Sequence, residues 1–139
     1  MEPSFEIFDH TADAGIRVRA ATLPELIEPA ARGLYAVIGE LVAGGEPQHA
    51  TVQRADGDAA TLLRDYLAEV LLLFECGHRM VTAVRVEVFD DRELRAAIET
   101  RLVDTERSVY YREVKAITYH ELEIRTIPGG YEATLIVDI

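Results

Sequence analysis

The sequence predicts an α+β fold of two layers, a mixed, mostly antiparallel sheet of about six strands with two helices packed on one face. Three observations predict it. Several short segments alternate apolar and polar residues, two longer stretches carry apolar residues at helical spacing, and strand segments follow one another around turn sequences. Neighbouring strands joined by hairpins favour antiparallel pairing, with the helices gathered on one side. The chain has 139 residues and shows no repeat, low-complexity tract or long linker, so residues 1–139 read as a single domain. At that length folding removes about 68% of the unfolded surface from water, enough for one core.

The elements follow in order. Phe5-Glu6-Ile7-Phe8 reads as a first strand, leading through Asp9-His10-Thr11-Ala12-Asp13-Ala14-Gly15 into a second. There Ile16, Val18 and Ala20 alternate with Arg17 and Arg19, the period of a half-buried strand. Thr22-Leu23-Pro24-Glu25 matches a capping box, with proline tolerated in the first turn. Leu23, Ile27, Ala30, Leu34 and Val37 then continue at helical spacing to Gly39. Pro29 removes a hydrogen bond to the Glu25 carbonyl, so a kink is expected there.

Gly44-Gly45-Glu46-Pro47 reads as a loop and His49 to Arg54 as a short edge strand. Asp56 or Asp58 can cap a second helix from Ala59 to Cys76, with Gly77 placed to end it. Leu62, Leu63, Tyr66, Leu67, Val70, Leu73 and Phe74 make that helix the expected centre of the core. Val84 to Val88 and Glu93 to Val103 read as strands joined at Asp90-Asp91. Leu122 to Arg125 and Tyr131 to Leu135 alternate around Pro128-Gly129-Gly130, a hairpin that makes the end of the chain a strand inside the fold.

Composition excludes several function classes. With 25 acidic and 14 basic residues the net charge is -11, the wrong sign for gripping a nucleic-acid backbone directly. A basic surface on another protein is the natural partner. One cysteine, Cys76, excludes an internal disulfide framework and multi-cysteine metal sites. Met1-Glu2-Pro3-Ser4 lacks the layout of a signal peptide, and the apolar run Val70 to Phe74 is far short of a membrane span, so a reducing, cytoplasmic setting is expected. The chain lacks Trp and Asn, and its only lysine is Lys115. Serine stands only at positions 4 and 108, leaving almost no serine nucleophile. No GxGxxG, Walker-type loop, HExxH or EF-hand loop occurs, and nothing assembles a nucleophile, base and oxyanion hole.

Three segments carry the remaining chemistry. These are His10-Thr11-Ala12-Asp13, a polar turn between apolar strands; Glu113 to His120, with the lone lysine and a second histidine; and Val137-Asp138-Ile139. In the last, Tyr131, Ala133, Leu135 and Val137 share one strand face, placing Asp138 on the other, with the α-carboxylate of Ile139 in reach of the same spot. Two carboxylates 4 Å apart repel by about 4 kcal/mol at an effective dielectric of 20, so one takes a proton or a cation sits between them. A third carboxylate such as Asp13 would complete a site for a hard divalent ion. The plainer readings are a solvated terminal aspartate, structural histidines at His10 and His120, a turn role for Asp13 and an ion pair for Lys115. Cys76 and His78 resemble a catalytic pair in spacing, but a cysteine ending an apolar helix reads as a buried, inert thiol.

Phe8-Asp9-His10-Thr11-Ala12-Asp13-Ala14-Gly15-Ile16, together with Glu113-Val114-Lys115-Ala116-Ile117-Thr118-Tyr119-His120 and a closing Asp138-Ile139, resembles the archease family. The likeness spans almost the whole chain, with the motifs in the right order at its two ends. It implies an α+β domain that is not itself an enzyme. Such a protein activates the GTP-dependent tRNA-splicing ligase, which joins RNA 2′,3′-cyclic phosphate or 3′-phosphate ends to 5′-hydroxyls. The activator accelerates ligase guanylylation, supports multiple turnover and broadens the nucleotides accepted. The resemblance also implies a divalent metal, calcium first and magnesium or manganese as alternatives. Its ligands would be Asp13, the Asp138 side chain and Ile139, with His10, Lys115 and His120 as supporting residues. Ala14 stands where a β-branched residue is common in the family, and Val137 where proline is often found; neither removes a ligand. Two other classes use the same features, a general chaperone or modulator and, with weaker support, a metal-dependent phosphoesterase.

Overall fold

The computed structural model describes residues 1–139, with no cis peptide bond. β1 (Ser4–His10) and β2 (Asp13–Ala20) form a hairpin, followed by a 3-10 turn over Pro24–Leu26 and helix α1 (Ile27–Ile38). β3 (Gly39–Glu40) and the long β4 (Ala43–Ala55) precede helix α2 (Ala59–Gly77). β5 (Arg79–Phe89) and β6 (Glu93–Val103) make a second hairpin, then come the two-residue β7 (Val109–Tyr110) and β8 (Ala116–Ile117). β9 (Glu123–Ile127) and β10 (Gly130–Asp138) close the chain.

The α+β class, the two helices and the antiparallel pairing agree with the sequence. The layering differs. The strands divide into a five-stranded sheet ordered β1-β2-β10-β8, with β9 also on β10, a three-stranded sheet β4-β6-β5, and the ribbon β3-β7. Every pair is antiparallel. The helices lie between the two larger sheets: α1 packs on β1 and β2 and reaches β5, while α2 packs on β4, β5 and β6 and reaches β8 and β9. The reason is visible along α1, where Ile27, Ala30, Ala31, Gly33, Leu34, Tyr35, Val37 and Ile38 are buried around most of the circumference. A helix apolar on nearly all sides needs cover on both.

Local chemistry sets the element ends. The Glu25 N–H donates to the Thr22 hydroxyl at 3.4 Å, so the capping box opens the 3-10 turn. The conversion to α geometry at Ile27 leaves Pro29 in the first helical turn, where its missing donor would have been unpaired anyway, so no mid-helix kink is required. At α2 the cap is Asp58, whose carboxylate accepts the Thr61 N–H at 2.9 Å; that bond holds the Asp58 carboxyl below its usual value. Helix α2 ends not at a left-handed Gly77 but at His78, with φ 52° and its N–H bonded to the Phe74 carbonyl. Glu75, Cys76 and Gly77 at the end of α2 are exposed, so Cys76 is not the buried thiol expected. The expected loop Gly44–Pro47 is a bulge inside β4, where the register jumps from Gly44–Leu102 to Gln48–Thr100. Gly45 there takes φ 75°, and Pro47 has no N–H to offer the ladder.

On β2 and β10, the side chains of Ile16, Val18, Leu135 and Val137 point into the helix layer and are fully buried. The opposite, outer face carries ion pairs. Glu132, whose side chain is 4% exposed, accepts from Arg19 Nε at 2.7 Å and Arg125 Nε at 2.9 Å. Burial pushes the Glu132 carboxyl up, but the arginine hydrogen bonds outweigh it and hold the group below the usual glutamate range. Its stabilising contribution is therefore complete above about pH 4.3 and is lost as pH falls through the lowered folded value. Glu132→Gln is expected to cost about 1–3 kcal/mol at pH 7 and clearly less at pH 3, read from urea melts at both pH values.

Candidate functional site

The register of the large sheet brings the two ends of the chain together. Val137 on β10 pairs with Ala14 on β2 and with Ile117 on β8, while Asp138 pairs with Ala116. Asp13 is the residue after Ala14 toward the turn and itself pairs with His10. Directly opposed residues on antiparallel strands share a face. His10, Asp13 and Asp138 therefore crowd one end of the outer face of the sheet, away from the helices.

Gly15 and Phe8 form the floor beneath them. The strands pair Phe8 with Gly15, and a Cβ on Gly15 would stand 2.1 Å from the Phe8 ring, so only glycine lets the ring lie across β2. Arg17 covers that ring at 4.4 Å. The turn between β1 and β2 is closed by Ala12 at φ 62°, with no glycine.

The segment 111–121 supplies the wall. The Tyr111 and Arg112 N–H groups bond the Ile38 carbonyl and satisfy the end of α1. The chain then crosses to the large sheet, where the Lys115 N–H donates to the Asp138 carbonyl at 2.7 Å and the Thr118 N–H to the Ile136 carbonyl at 2.9 Å. Arg64 from α2 donates to the Ile117 carbonyl at 2.9 Å and lies over the Tyr119 ring at 4.3 Å. Past that anchor the turn folds His120 and Glu121 against His10. His10 Nε2 stands 3.1 Å from Glu121 Oε2, and the two imidazoles meet edge to face at 5.3 Å between centroids.

Each expected residue can now be placed. Asp13 and Asp138 are half-buried, as is Ile139. Within 4 Å, Asp13 has one ion-pair partner, His10 Nδ1 at 3.8 Å, and the Asp138 carboxylate has none. His10 and His120 join the same cluster. Lys115 contributes its backbone N–H, while its exposed side chain makes no ion pair within 4 Å. Cys76 and His78 sit at the exposed end of α2 and take no part. Glu121 escaped the sequence reading: it acquires its place through a left-handed backbone, φ 51°, which no hydrophobic period signals.

The sheet register thus brings Asp13 and Asp138 to the same end of one face, with neither carboxylate within 4 Å of a lysine or arginine. Elsewhere, a groove of about 610 Å³ runs between the end of α2 and residues 105–114, lined by Phe74, Tyr110 and Tyr111. No helix is long and apolar enough to cross a membrane.

Residues 5–139 match the archease protein family (MTH1598/TM1083). A relative from Methanopyrus kandleri, a protein archease, is 30% identical over 138 residues, 97% of this chain and 99% of that one. Another, from Thermococcus gammatolerans, is 34% identical over 130 residues, 91% of each chain. The solution structure of protein 1598 from Methanobacterium thermoautotrophicum superposes with a TM-score of 0.76 at 28% identity and full coverage of both chains. A crystal structure from Thermotoga maritima, described as an archease and possible chaperone, gives 0.72 at 18% identity, covering 95% of this chain and 94% of that one, and speaks to the fold alone.

Proposed function

This chain belongs to the archease family, and from that premise we propose that it is a non-catalytic cytoplasmic cofactor that activates a GTP-dependent tRNA-splicing RNA ligase. The observation that carries the reading is the meeting of Asp13 and Asp138, residues from opposite ends of the sequence, at one end of one sheet face. An arrangement that opposes two carboxylates without a cationic side chain costs stability unless a cation joins them.

A divalent ion there, calcium first and magnesium or manganese as alternatives, supplies positive charge that can meet phosphate oxygens. The chain's own residues do the rest. Asp13 and Asp138 would hold the ion from adjacent strands. The Lys115 backbone N–H, bonded to the Asp138 carbonyl, fixes the height of the terminal strand. The Phe8 ring over Gly15 keeps the floor apolar and rigid. Guanylylation gathers negative charge on a triphosphate and then a pyrophosphate, so an added cation-bearing surface near that chemistry is an apt activator.

The net charge of -11 suits docking on the basic, RNA-binding mouth of such a ligase. Association should therefore weaken steeply as salt rises past the point where the screening length falls below about 10 Å, near 0.1 M. Ligase multiple turnover on saturating RNA with GTP tests the reading. The expected result is a several-fold rise on adding the chain, diminishing with salt; equal rates with and without it would refute the activator role.

One observation favours a second reading, a general chaperone: Leu72, Val109, Tyr110 and Tyr111 are exposed apolar residues, and the two tyrosines line the groove at the end of α2. That reading expects suppressed aggregation of unrelated proteins, unchanged by Asp13→Ala.

A further inference from the structure

We infer that His10, His120 and Glu121 form a second cation site, for a borderline divalent ion of the zinc class, beside the carboxylate cluster and distinct from it. The nitrogen and oxygen donors of these three residues lie within 4.8 Å of one another. Two imidazoles and one carboxylate select zinc, cobalt(II) or nickel over calcium and magnesium, which prefer oxygen.

The geometry is close to what such an ion needs. At zinc–ligand bonds of about 2.0–2.1 Å, tetrahedral ligands stand roughly 3.3 Å apart. Here His10 Nε2 lies 3.1 Å from Glu121 Oε2, and His120 Nε2 lies 4.0 Å from Glu121 Oε1. Side-chain rotation of about an ångström at the exposed His120 and Glu121 would close the set. Three protein ligands leave a fourth position open to water or a partner's donor.

Two further observations separate this cluster from an ordinary surface ion pair. The chain holds thirteen arginines among its 14 basic residues, yet the partners of Glu121 within 4 Å are both histidines. The other nitrogen of His10, Nδ1, is buried without a hydrogen-bond partner and faces Asp13 Oδ2 at 3.8 Å. A metal-bound histidine typically donates its second N–H to a carboxylate, which fixes the ring and its tautomer. Asp13 is the carboxylate placed to take that role for His10 once the 3.8 Å separation closes. His10 would thus stand between two ions, bound to one through Nε2 and oriented by a ligand of the other through Nδ1.

The site does not depend on the ligase reading, and its test uses the purified full chain. Zinc binding is measured by competition with a chromophoric chelator, and cobalt(II) binding by its visible absorption, at neutral pH. The wild-type chain is expected to bind one zinc ion and to give the intense bands of four-coordinate cobalt. His120→Ala and Glu121→Gln, both exposed turn positions, should each weaken zinc by about 10–100-fold with unchanged circular dichroism. Asp138→Asn should leave zinc affinity within about threefold. Zinc affinity indifferent to both His120→Ala and Glu121→Gln would overturn the proposal. So would affinity lost in Asp138→Asn but kept in His120→Ala, which would place the ion in the carboxylate cluster.

Discussion

Asp138→Ala is expected to abolish the stimulation of ligase turnover while leaving the metal-free chain as stable as the wild type, or slightly more so. The contrast follows from where the side chain sits. Its half-buried carboxylate has no cationic side chain within 4 Å, and the main-chain bond from Lys115 to the Asp138 carbonyl survives the substitution. Removing one of two facing carboxylates relieves repulsion, worth at most about 1 kcal/mol at a partly solvated site. The same change deletes a ligand. Loss of an outer-shell partner already costs about 10–100-fold in metal affinity, so a ligand should cost at least as much. Thermal melts in chelator and in excess calcium, run beside the turnover assay, check this. Wild-type melting should rise with calcium and the variant's should not. A variant that melts far lower in both conditions would mark Asp138 as a structural residue.

Leu63→Ala should produce the largest loss of stability, about 2–5 kcal/mol, with no change in calcium affinity for the folded protein. Leu63 is 0% exposed on α2, in the layer covered by sheets on both sides, where a cavity has little room to collapse. A protein of this size carries about 5–15 kcal/mol in all, so melting should drop by roughly 10–20 °C. Leu72, on the opposite side of the same helix and 49% exposed, gives the control: Leu72→Ala should stay within about 0.5 kcal/mol. Asp13 and Asp138, the proposed metal ligands, lie on the outer face of the large sheet, which is why the two losses separate. Chemical melts and calorimetry on the same samples decide the matter.

Much of this architecture was legible in the residues. The alternation of Ile16, Val18 and Ala20 placed β2 and its buried face, the Asp58 cap opened α2 where expected, and the turn at Pro128-Gly129 set the final hairpin. Because Tyr131, Ala133, Leu135 and Val137 alternate along β10, the placing of Asp138 on its opposite face was legible too. Other features depend on contacts far along the chain. The ladders at Val109–Tyr110 and Ala116–Ile117 are two residues long and exist because α1 and β10 offer free carbonyls there. The edge strand read at His49–Arg54 is the second half of β4; its first half, from Ala43, hides behind a glycine-rich, polar sequence, since an edge strand with one solvated face needs few apolar residues. The second covering sheet escaped notice because burial around the rest of α1 relies on Ala31 and Gly33, small residues that a period count passes over. Glu121 is placed by a single left-handed residue at the end of a turn.

Calorimetric titration with calcium of the wild type, Asp13→Asn, Asp138→Asn and the double variant tests most directly whether the two ends of the chain share one ion. One equivalent bound by the wild type, lost in either single variant and no further reduced in the double, is the predicted result. Calcium bound equally well by Asp13→Asn and the wild type would contradict it.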